Sequence, residues 1–370
     1  MADGPDDRSW PGRRWEANLT TVATEEFPEL LVSAPPIRLP LWEFVRASGL
    51  DSLILGTSKD PNAKITVLLI SPQSGRPVLA VKAPTTDEAA RAVDAEARVL
   101  ADLWRLQPRD VAETIPRVVD LLEVEGRPAI VTTAVPGVPM TTTYLGRRHT
   151  ASSLQVAADF NAAGRWLADF QAGTARQSAP IEMDGGVALR LRKRFPDDER
   201  LSGDLARLAE ICGRLRRNTV ARTAVHGDFW FGNVLLVDGE VAGVVDWEAG
   251  TTSGEPVRDL VRFALIYALY LDCRTRPGRR VAGHAGLRAD AWGAGIEYAL
   301  NGTGWFPDLF RRFLGEGLAR LGAEPESWRD ASLAGLAEVA ALTDDDGFAR
   351  LHLELFRRVS DPPAEQRGAR

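Results

Sequence analysis

The sequence has few of the residues that bind structural metals or form disulfides. It contains two cysteines, Cys212 and Cys273, and four histidines among 370 residues. The cysteines are far apart, and neither a CxxC pair nor a zinc-type Cys/His spacing occurs. These shortages argue against a zinc-stabilised fold and a disulfide framework, and favour two reduced thiols in a cytosolic protein.

Long apolar runs and excess positive charge are missing as well. No run of about 18 apolar residues occurs, and the first residues, MADGPDDRSWPGRR, lack the apolar segment of a signal peptide. The formal net charge is −6 and the pI is near 5.5, which gives no global attraction to nucleic acid or anionic lipid. We therefore expect a cytoplasmic protein without nucleic-acid or membrane partners. The oligomeric state stays open.

The residue pattern that indicates secondary structure changes along the chain. Residues 41–134 contain five short β-rich runs and one helical segment, at whose start Thr85 and Glu88 have the spacing of a capping box. Residues 135–360 are mainly helical in pattern. The predicted fold is therefore α+β and bilobal, with an N-terminal antiparallel sheet lobe plus one helix and a larger, mainly helical C-terminal lobe.

The two ends of the chain differ from these lobes. Residues 1–40 are rich in proline, glycine and charge, which predicts an extension that packs on a domain without forming one. Residues 361–370 are predicted to be a flexible tail.

A stretch inside the helical half carries the strongest functional pattern: HGDFWFGNVLLVDGEVAGVVDWEAG, residues 226–250. The dipeptide Asp238-Gly239 between two apolar runs predicts a β-hairpin. Pairing the runs brings Asn233 and Asp246 to the same end of the hairpin, and Asp228 precedes its first strand.

Three oxygen-bearing side chains at one end of a hairpin suit phosphoryl transfer. An Asn amide and an Asp carboxylate are hard ligands of the kind that Mg²⁺ prefers, and Asp228 could accept a proton from a substrate hydroxyl. Taken singly, each is also an ordinary turn or strand-end residue. The joint pattern favours the functional interpretation because the chain has so few histidines and asparagines.

The motif HGDxxxxN, formed by residues 226–233 and followed by VVDWE and by GEPVRDL at residues 254–260, resembles the aminoglycoside phosphotransferase and choline kinase family. The resemblance covers roughly residues 50–360. It implies a protein-kinase-like fold, with Asp228 as catalytic base and Asn233 and Asp246 as magnesium ligands. It also implies that His226 supports the catalytic loop and that Asp259, the aspartate of the second motif, has a supporting role.

The sheet lobe offers the lysine and carboxylate that such kinases require. Lys82 ends the run VLAVK, and Glu96 lies on the apolar face of the following helix, where an unpaired charge would be costly. We expect the two to form an ion pair that serves the nucleotide phosphates. The alternative is an exposed strand-end lysine and a boundary carboxylate.

The phosphate loop departs from the family pattern because the segment GTSKDPNAKIT has a single glycine, Gly56. Backbone N–H groups and hydroxyls such as that of Ser58 can still bind phosphate. The connector TTAVPG resembles the family's hinge, so backbone groups from Thr133 to Val135 are expected to meet the purine of ATP; GTP is not excluded.

The acceptor is less defined by the sequence. Trp230, two residues after the proposed base, and Glu248 are the candidate contacts for a hydroxylated small molecule. Glu255 and residues 344–346 could bind a polycation, whereas four basic residues in 190–194 would suit an acidic acceptor; both charge runs could equally be solvated surface. Gln171 stands where the family has histidine.

The sequence thus predicts an ATP- and Mg²⁺-dependent O-phosphotransferase acting on an antibiotic or a sugar-like metabolite. The alternative is a catalytically weak or inactive nucleotide-binding scaffold, which the sparse glycine loop favours. Retention of Lys82, Glu96, Asp228, Asn233 and Asp246 argues against the scaffold.

Overall fold

A computed structural model of the chain describes residues 40–57, 63–108 and 110–360. Apart from residue 40, the predicted extension at 1–40 lies outside the described residues, as does the predicted tail at 361–370. In chain order the elements are α1 (Leu41–Ser48), β1 (Asp51–Thr57), β2 (Lys64–Ile70), β3 (Pro77–Pro84), α2 (Asp87–Leu106), β4 (Val118–Val124), β5 (Arg127–Thr133), β6 (Val138–Pro139), α3 (Met140–Tyr144), α4 (Ser153–Thr174), β7 (Ser178–Pro180), α5 (Val187–Arg194), α6 (Leu201–Leu215), β8 (Thr219–Ala221), β9 (Thr223–Val225), β10 (Val234–Val237), β11 (Glu240–Val244), β12 (Thr251–Gly254), α7 (Val257–Leu269), α8 (Ala294–Asn301), α9 (Trp305–Arg320), α10 (Trp328–Leu342) and α11 (Asp346–Ser360).

The N-terminal lobe is an antiparallel sheet with the strand order β1-β2-β3-β5-β4. β4 and β5 are joined at Glu125 and Gly126, which both have positive φ, as a tight hairpin turn requires. Seven buried aliphatic residues of this sheet form a small core of their own. The predicted α+β, two-lobed fold is confirmed.

Helix α2 follows β3, as predicted, but its cap is displaced by one residue. Thr86, not Thr85, is the N-cap: its Oγ1 accepts the N–H of Ala89 at 3.1 Å. Thr85 instead donates from its hydroxyl to the Ala63 carbonyl at 2.7 Å. The predicted capping box does not form, because the hydroxyl of Thr85 is hydrogen-bonded to the Ala63 carbonyl and Thr86 caps the helix.

The hairpin of β10 and β11 stands among the helices of the second lobe. Its turn residues, Asp238 and Gly239, have φ values of 51° and 82°, which fits the predicted two-residue turn. A third short strand, β6, pairs with β10 directly after the connector between the lobes. This pairing ties the connector to the hairpin.

A large hydrophobic core fills the second lobe and reaches helix α2 of the first through Val93 and Leu100. Rings that pack edge to face run through it, for example Phe160 against Phe263 and Tyr267. Among the described helices, none is long and apolar enough to cross a membrane.

Candidate active site

The hairpin brings two of the predicted site residues together. The N–H of Val245 donates to the carbonyl of Asn233 at 3.0 Å, so Asn233 and Asp246 lie side by side at the open end. Asp246 adopts a φ of 66°, an uncommon conformation for a residue other than glycine. The chain therefore turns sharply where the carboxylate leaves the strand.

The loop before the hairpin is held from helix α7. The carboxylate of Asp259, which is buried, accepts the backbone N–H of His226 at 2.7 Å and that of Gly227 at 2.9 Å. The buried ring of His226 contacts the Val245 carbonyl through Nε2 at 2.8 Å. His226 and Asp259 thus link the loop, the hairpin and helix α7.

Asp228 lies beside Asn233. The amide nitrogen of Asn233 donates to the backbone carbonyl of Asp228 at 3.0 Å and to its Oδ2 at 3.2 Å. With the amide nitrogen turned to Asp228, the amide oxygen is the ligand atom that Asn233 can offer to a cation.

Lys82 and Glu96 form the predicted ion pair, and the pair extends to the hairpin. Lys82 Nζ lies 2.6 Å from Glu96 Oε1 and 2.5 Å from Asp246 Oδ1. Glu96 also accepts the N–H of Trp247 at 3.2 Å. One lysine therefore joins a strand and a helix of the first lobe to the hairpin of the second.

The charges in this group stabilise one another. Attraction to Lys82 lowers the pKa of Asp246 well below its ordinary value. Burial opposes the charge on Lys82, but Asp246 and Glu96 together raise the pKa of Lys82 above its ordinary value. Both Asp246 and Lys82 are therefore ionised at neutral pH. Burial raises the pKa of Asp259.

The other predicted nucleotide contacts are spread over the sheet lobe. Gly56 has a φ of 138° and lies at a register shift in β1; Ser58 lies outside the described residues. Thr133 pairs with Arg117 through its N–H at 2.8 Å and its hydroxyl oxygen at 2.9 Å. The N–H of Val135, by contrast, has no hydrogen-bond partner in the described part of the chain.

The candidate acceptor contacts are both engaged within the protein. Trp230 is partly buried and stacks on Tyr270 with 6.3 Å between ring centroids. Glu248 forms an ion pair with Lys64 at the start of β2. Glu255 is only 4% exposed and binds Arg222, which makes it a structural group.

The two charge runs that the sequence offers as alternatives meet each other. Arg194 Nε lies 3.1 Å from Asp346 Oδ1, and Arg194 also donates to the Ala340 carbonyl at 3.1 Å. Asp345 caps α11 by accepting the N–H of Phe348. Arg194, Asp345 and Asp346 therefore have partners within the protein. Gln171 is buried and donates to the Pro256 carbonyl at 3.1 Å.

Two residues of the site were missed by the sequence analysis. Arg262 of α7 contacts Asp228 Oδ1 with Nη2 at 2.6 Å. Lys64 lies on the same face of β2 as Thr66, which pairs with Lys82. Two features of the sequence could have pointed to these residues. Arg262 follows Asp259 by three residues, and Lys64 precedes Thr66 by two.

A two-lobed fold in which a strand lysine pairs with a helix carboxylate and with an aspartate at the end of a hairpin is that of a kinase-like phosphotransferase. The chain belongs to the phosphotransferase enzyme family (APH), whose model matches residues 65–296. The predicted membership and the predicted class, a small-molecule kinase, are confirmed. A comparison with curated proteins by sequence found no match.

Solved structures of low sequence identity are similar to this chain, and those with TM-scores above 0.5 share its fold. A thermostable mutant of aminoglycoside phosphotransferase APH(4)-Ia, in a ternary complex with AMP-PNP and hygromycin B, is 13% identical with a TM-score of 0.53, over 89% of this chain and 99% of that one. Another structure of APH(4)-Ia is 13% identical with a TM-score of 0.52, over 86% and 96%. Macrolide 2'-phosphotransferase MphH from Brachybacterium faecium is 16% identical with a TM-score of 0.47, over 87% and 98%.

Proposed function

We propose that the protein is an ATP- and Mg²⁺-dependent O-phosphotransferase that transfers the γ-phosphate to a hydroxyl of a small molecule. The observation that carries the proposal is the contact of Lys82 with both Glu96 and Asp246, at the hairpin end that also holds Asn233. One anion is enough to neutralise a purely structural lysine. A lysine that binds nucleotide phosphates is oriented by a helix carboxylate and lies beside the metal ligand, as Lys82 does with Glu96 and Asp246.

Asp228 is assigned the role of orienting the acceptor hydroxyl and accepting its proton. Asn233 fixes it through the side-chain and main-chain contacts described above. His226 and Asp259 hold the backbone of the loop that carries Asp228 through the hydrogen bonds described above. The side chain of Asp228 is 35% exposed, which supports access of an acceptor to its carboxylate.

Asn233 and Asp246 would hold the metal. Asp246 is ionised and 44% exposed, and the amide oxygen of Asn233 is turned away from Asp228. No group of three His, Cys, Asp or Glu suited to a metal occurs among the residues that the structure describes. Two oxygen ligands fit Mg²⁺, which usually completes its shell with phosphates and water and neutralises charge on the phosphates when bound.

Nucleotide binding is assigned to the sheet lobe. Lys82 would bind the phosphates, Gly56 and Ser58 would lie along them, and the hinge from Thr133 to Val135 would meet the base. In the hinge the free N–H of Val135 is the donor suited to a purine. ATP is proposed because a relative of the same fold binds AMP-PNP.

The acceptor is proposed to be an antibiotic or a sugar-like metabolite, in contact with Trp230 and Glu248. The structural relative that binds hygromycin B supports a hydroxylated antibiotic. We also propose a role in antibiotic resistance and a cytoplasmic location.

The second candidate is a nucleotide-binding scaffold without catalysis. The glycine-poor loop favours it, but Asp228 argues against it, since binding a nucleotide does not require a base on the acceptor side.

The test compares ADP release and acceptor phosphorylation in Asp228→Asn and Asp246→Asn with wild type, using a panel of sugars, nucleosides, aminoglycosides and other antibiotics and mass analysis of products. Asp238→Asn, an exposed carboxylate in the turn of the same hairpin, is the control. Both site variants should lose turnover while the control keeps it. Full turnover in either site variant would refute the assigned roles.

A raised melting temperature with Mg-ATP but no turnover on any acceptor, together with no ADP release, would support the scaffold instead.

A further inference from the structure

Arg262 of helix α7 binds the side chain of Asp228 directly. Its Nε lies 3.0 Å and its Nη2 2.6 Å from the same oxygen, Oδ1. The two side chains are 30% and 35% exposed, so the contact lies at the edge of the site and not in the core.

The same turn of α7 holds the backbone of the loop. Asp259 accepts the N–H groups of His226 and Gly227, and Arg262 follows it by three residues. Residues three apart on a helix lie on the same face. One helical turn therefore fixes the loop backbone with an anion and the Asp228 side chain with a cation.

The contacts leave one free position on the carboxylate. An ionised carboxylate has about four lone-pair sites, two on each oxygen. Arg262 uses both sites of Oδ1, and Asn233 uses one site of Oδ2 at 3.2 Å. The remaining site of Oδ2 is the one that an acceptor hydroxyl can meet.

We propose that Arg262 is a positioning residue that turns Asp228 so that Oδ2 faces the acceptor hydroxyl. This inference rests on the proposed phosphotransferase function. In that reaction the hydroxyl proton passes to Oδ2 while the new O–P bond forms, and ADP departs with the electron pair of the broken bond. Arg262 itself neither receives the proton nor touches the phosphate.

A simple structural ion pair is the competing explanation, and α7 provides a matched comparison. Arg258, one turn earlier, pairs with Glu338 of α10 at 3.1 Å and is 32% exposed, close to the exposure of Arg262. Loss of either arginine removes one ion pair from the same helix, with a carboxylate partner that is 13% exposed for Arg258 and 35% exposed for Arg262. Of these two arginines, Arg262 contacts Asp228 and Arg258 does not.

The experiment uses the full chain with Mg-ATP and water as the phosphoryl acceptor, and measures ADP release and melting temperature. Arg262→Ala and Arg262→Gln should lower kcat by roughly 10- to 100-fold with an unchanged KM for ATP, since a misplaced catalytic group loses rate without weakening nucleotide binding. Arg262→Lys should fall between. Added guanidinium ion should restore part of the rate of Arg262→Ala, and Arg258→Gln should keep its kcat.

The inference is overturned if Arg262→Gln keeps the wild-type kcat. It is also overturned if Arg258→Gln loses as much kcat as Arg262→Gln for the same fall in melting temperature. If the alanine variant does not fold, the lysine and glutamine variants decide by their order of kcat. If wild type releases no more ADP than Asp228→Asn and also phosphorylates no acceptor of the panel, the proposed function itself fails, and the inference with it.

Discussion

Lys82 of the sheet lobe contacts Asp246 at the end of the β10–β11 hairpin, with 2.5 Å between Nζ and Oδ1, although the two residues are 164 positions apart in the sequence. The ion pair crosses from one lobe to the other. Phosphates bound at Lys82 would share its charge with Asp246 and Glu96, so substitutions around this lysine should affect both stability and nucleotide use.

Glu96→Ala should destabilise the fold by about 3 kcal/mol, because it removes a buried anion and leaves Lys82 with Asp246 alone. The Trp247 N–H also loses its acceptor. Urea unfolding measures the change. The control is Asp94→Ala on the same helix, where Asp94 pairs with Arg98 and is 55% exposed; it should cost less than about 1 kcal/mol. Equal costs would show that Glu96 is an ordinary surface partner.

The parts of the site that the sequence predicts well depend on local patterns. The Asp238-Gly239 turn closes the hairpin, and a register shift between Leu235 and Leu236 then sets Asn233 beside Asp246. Helical spacing places Glu96 on the buried face of α2, where it requires a cation. In both cases a rule spanning a few residues determines the contact.

The parts that were missed depend on contacts between distant elements. Arg262 contacts Asp228 from helix α7, 34 residues later in the sequence, and Lys64 contacts Glu248, which is 184 positions away. Arginine and lysine are common on surfaces, so their residue type gives no sign of these partners. The cap of α2 was misplaced for a related reason: the Ala63 carbonyl that binds Thr85 is 22 residues away.

Lys64 and Glu248 should act as one unit. Their side chains are 13% and 29% exposed and link β2 to the segment after Asp246. In a double-mutant cycle of Lys64→Met and Glu248→Gln, we expect a coupling of about 1 kcal/mol in unfolding free energy. Both single variants should change the KM for ATP similarly. If Glu248→Gln alone changes the KM for the acceptor, Glu248 meets the acceptor rather than serving Lys64.

Asp272→Asn should stabilise the protein at neutral pH. Burial raises the pKa of Asp272 from 3.8 to about 6. The folded chain therefore holds this proton more tightly than the unfolded chain does. The stability gained from the bound proton is fully present below pH 3.8 and is lost as the pH rises through about 6. Melting temperatures of variant and wild type should differ at neutral pH and converge toward the acid end of this window. A constant difference would contradict the assignment.

Gly227→Ala should be far more harmful than Gly239→Ala, although the two glycines have nearly equal φ values of 80° and 82°. At Gly239 nothing lies within 4 Å of an added Cβ, so only the left-handed conformation is penalised, by about 1 to 2 kcal/mol.

At Gly227 the added Cβ would lie 2.3 Å from the Ala249 carbonyl oxygen, a backbone atom in the segment after Asp246. Relief of that clash should cost about another 1 to 3 kcal/mol. It should also lower kcat, since the loop between His226 and Asp228 must move away from the segment that follows Asp246. Urea unfolding and ADP release on both variants separate the two effects. Equal losses would mean that the approach of Gly227 to Ala249 does not hold Asp228 in place.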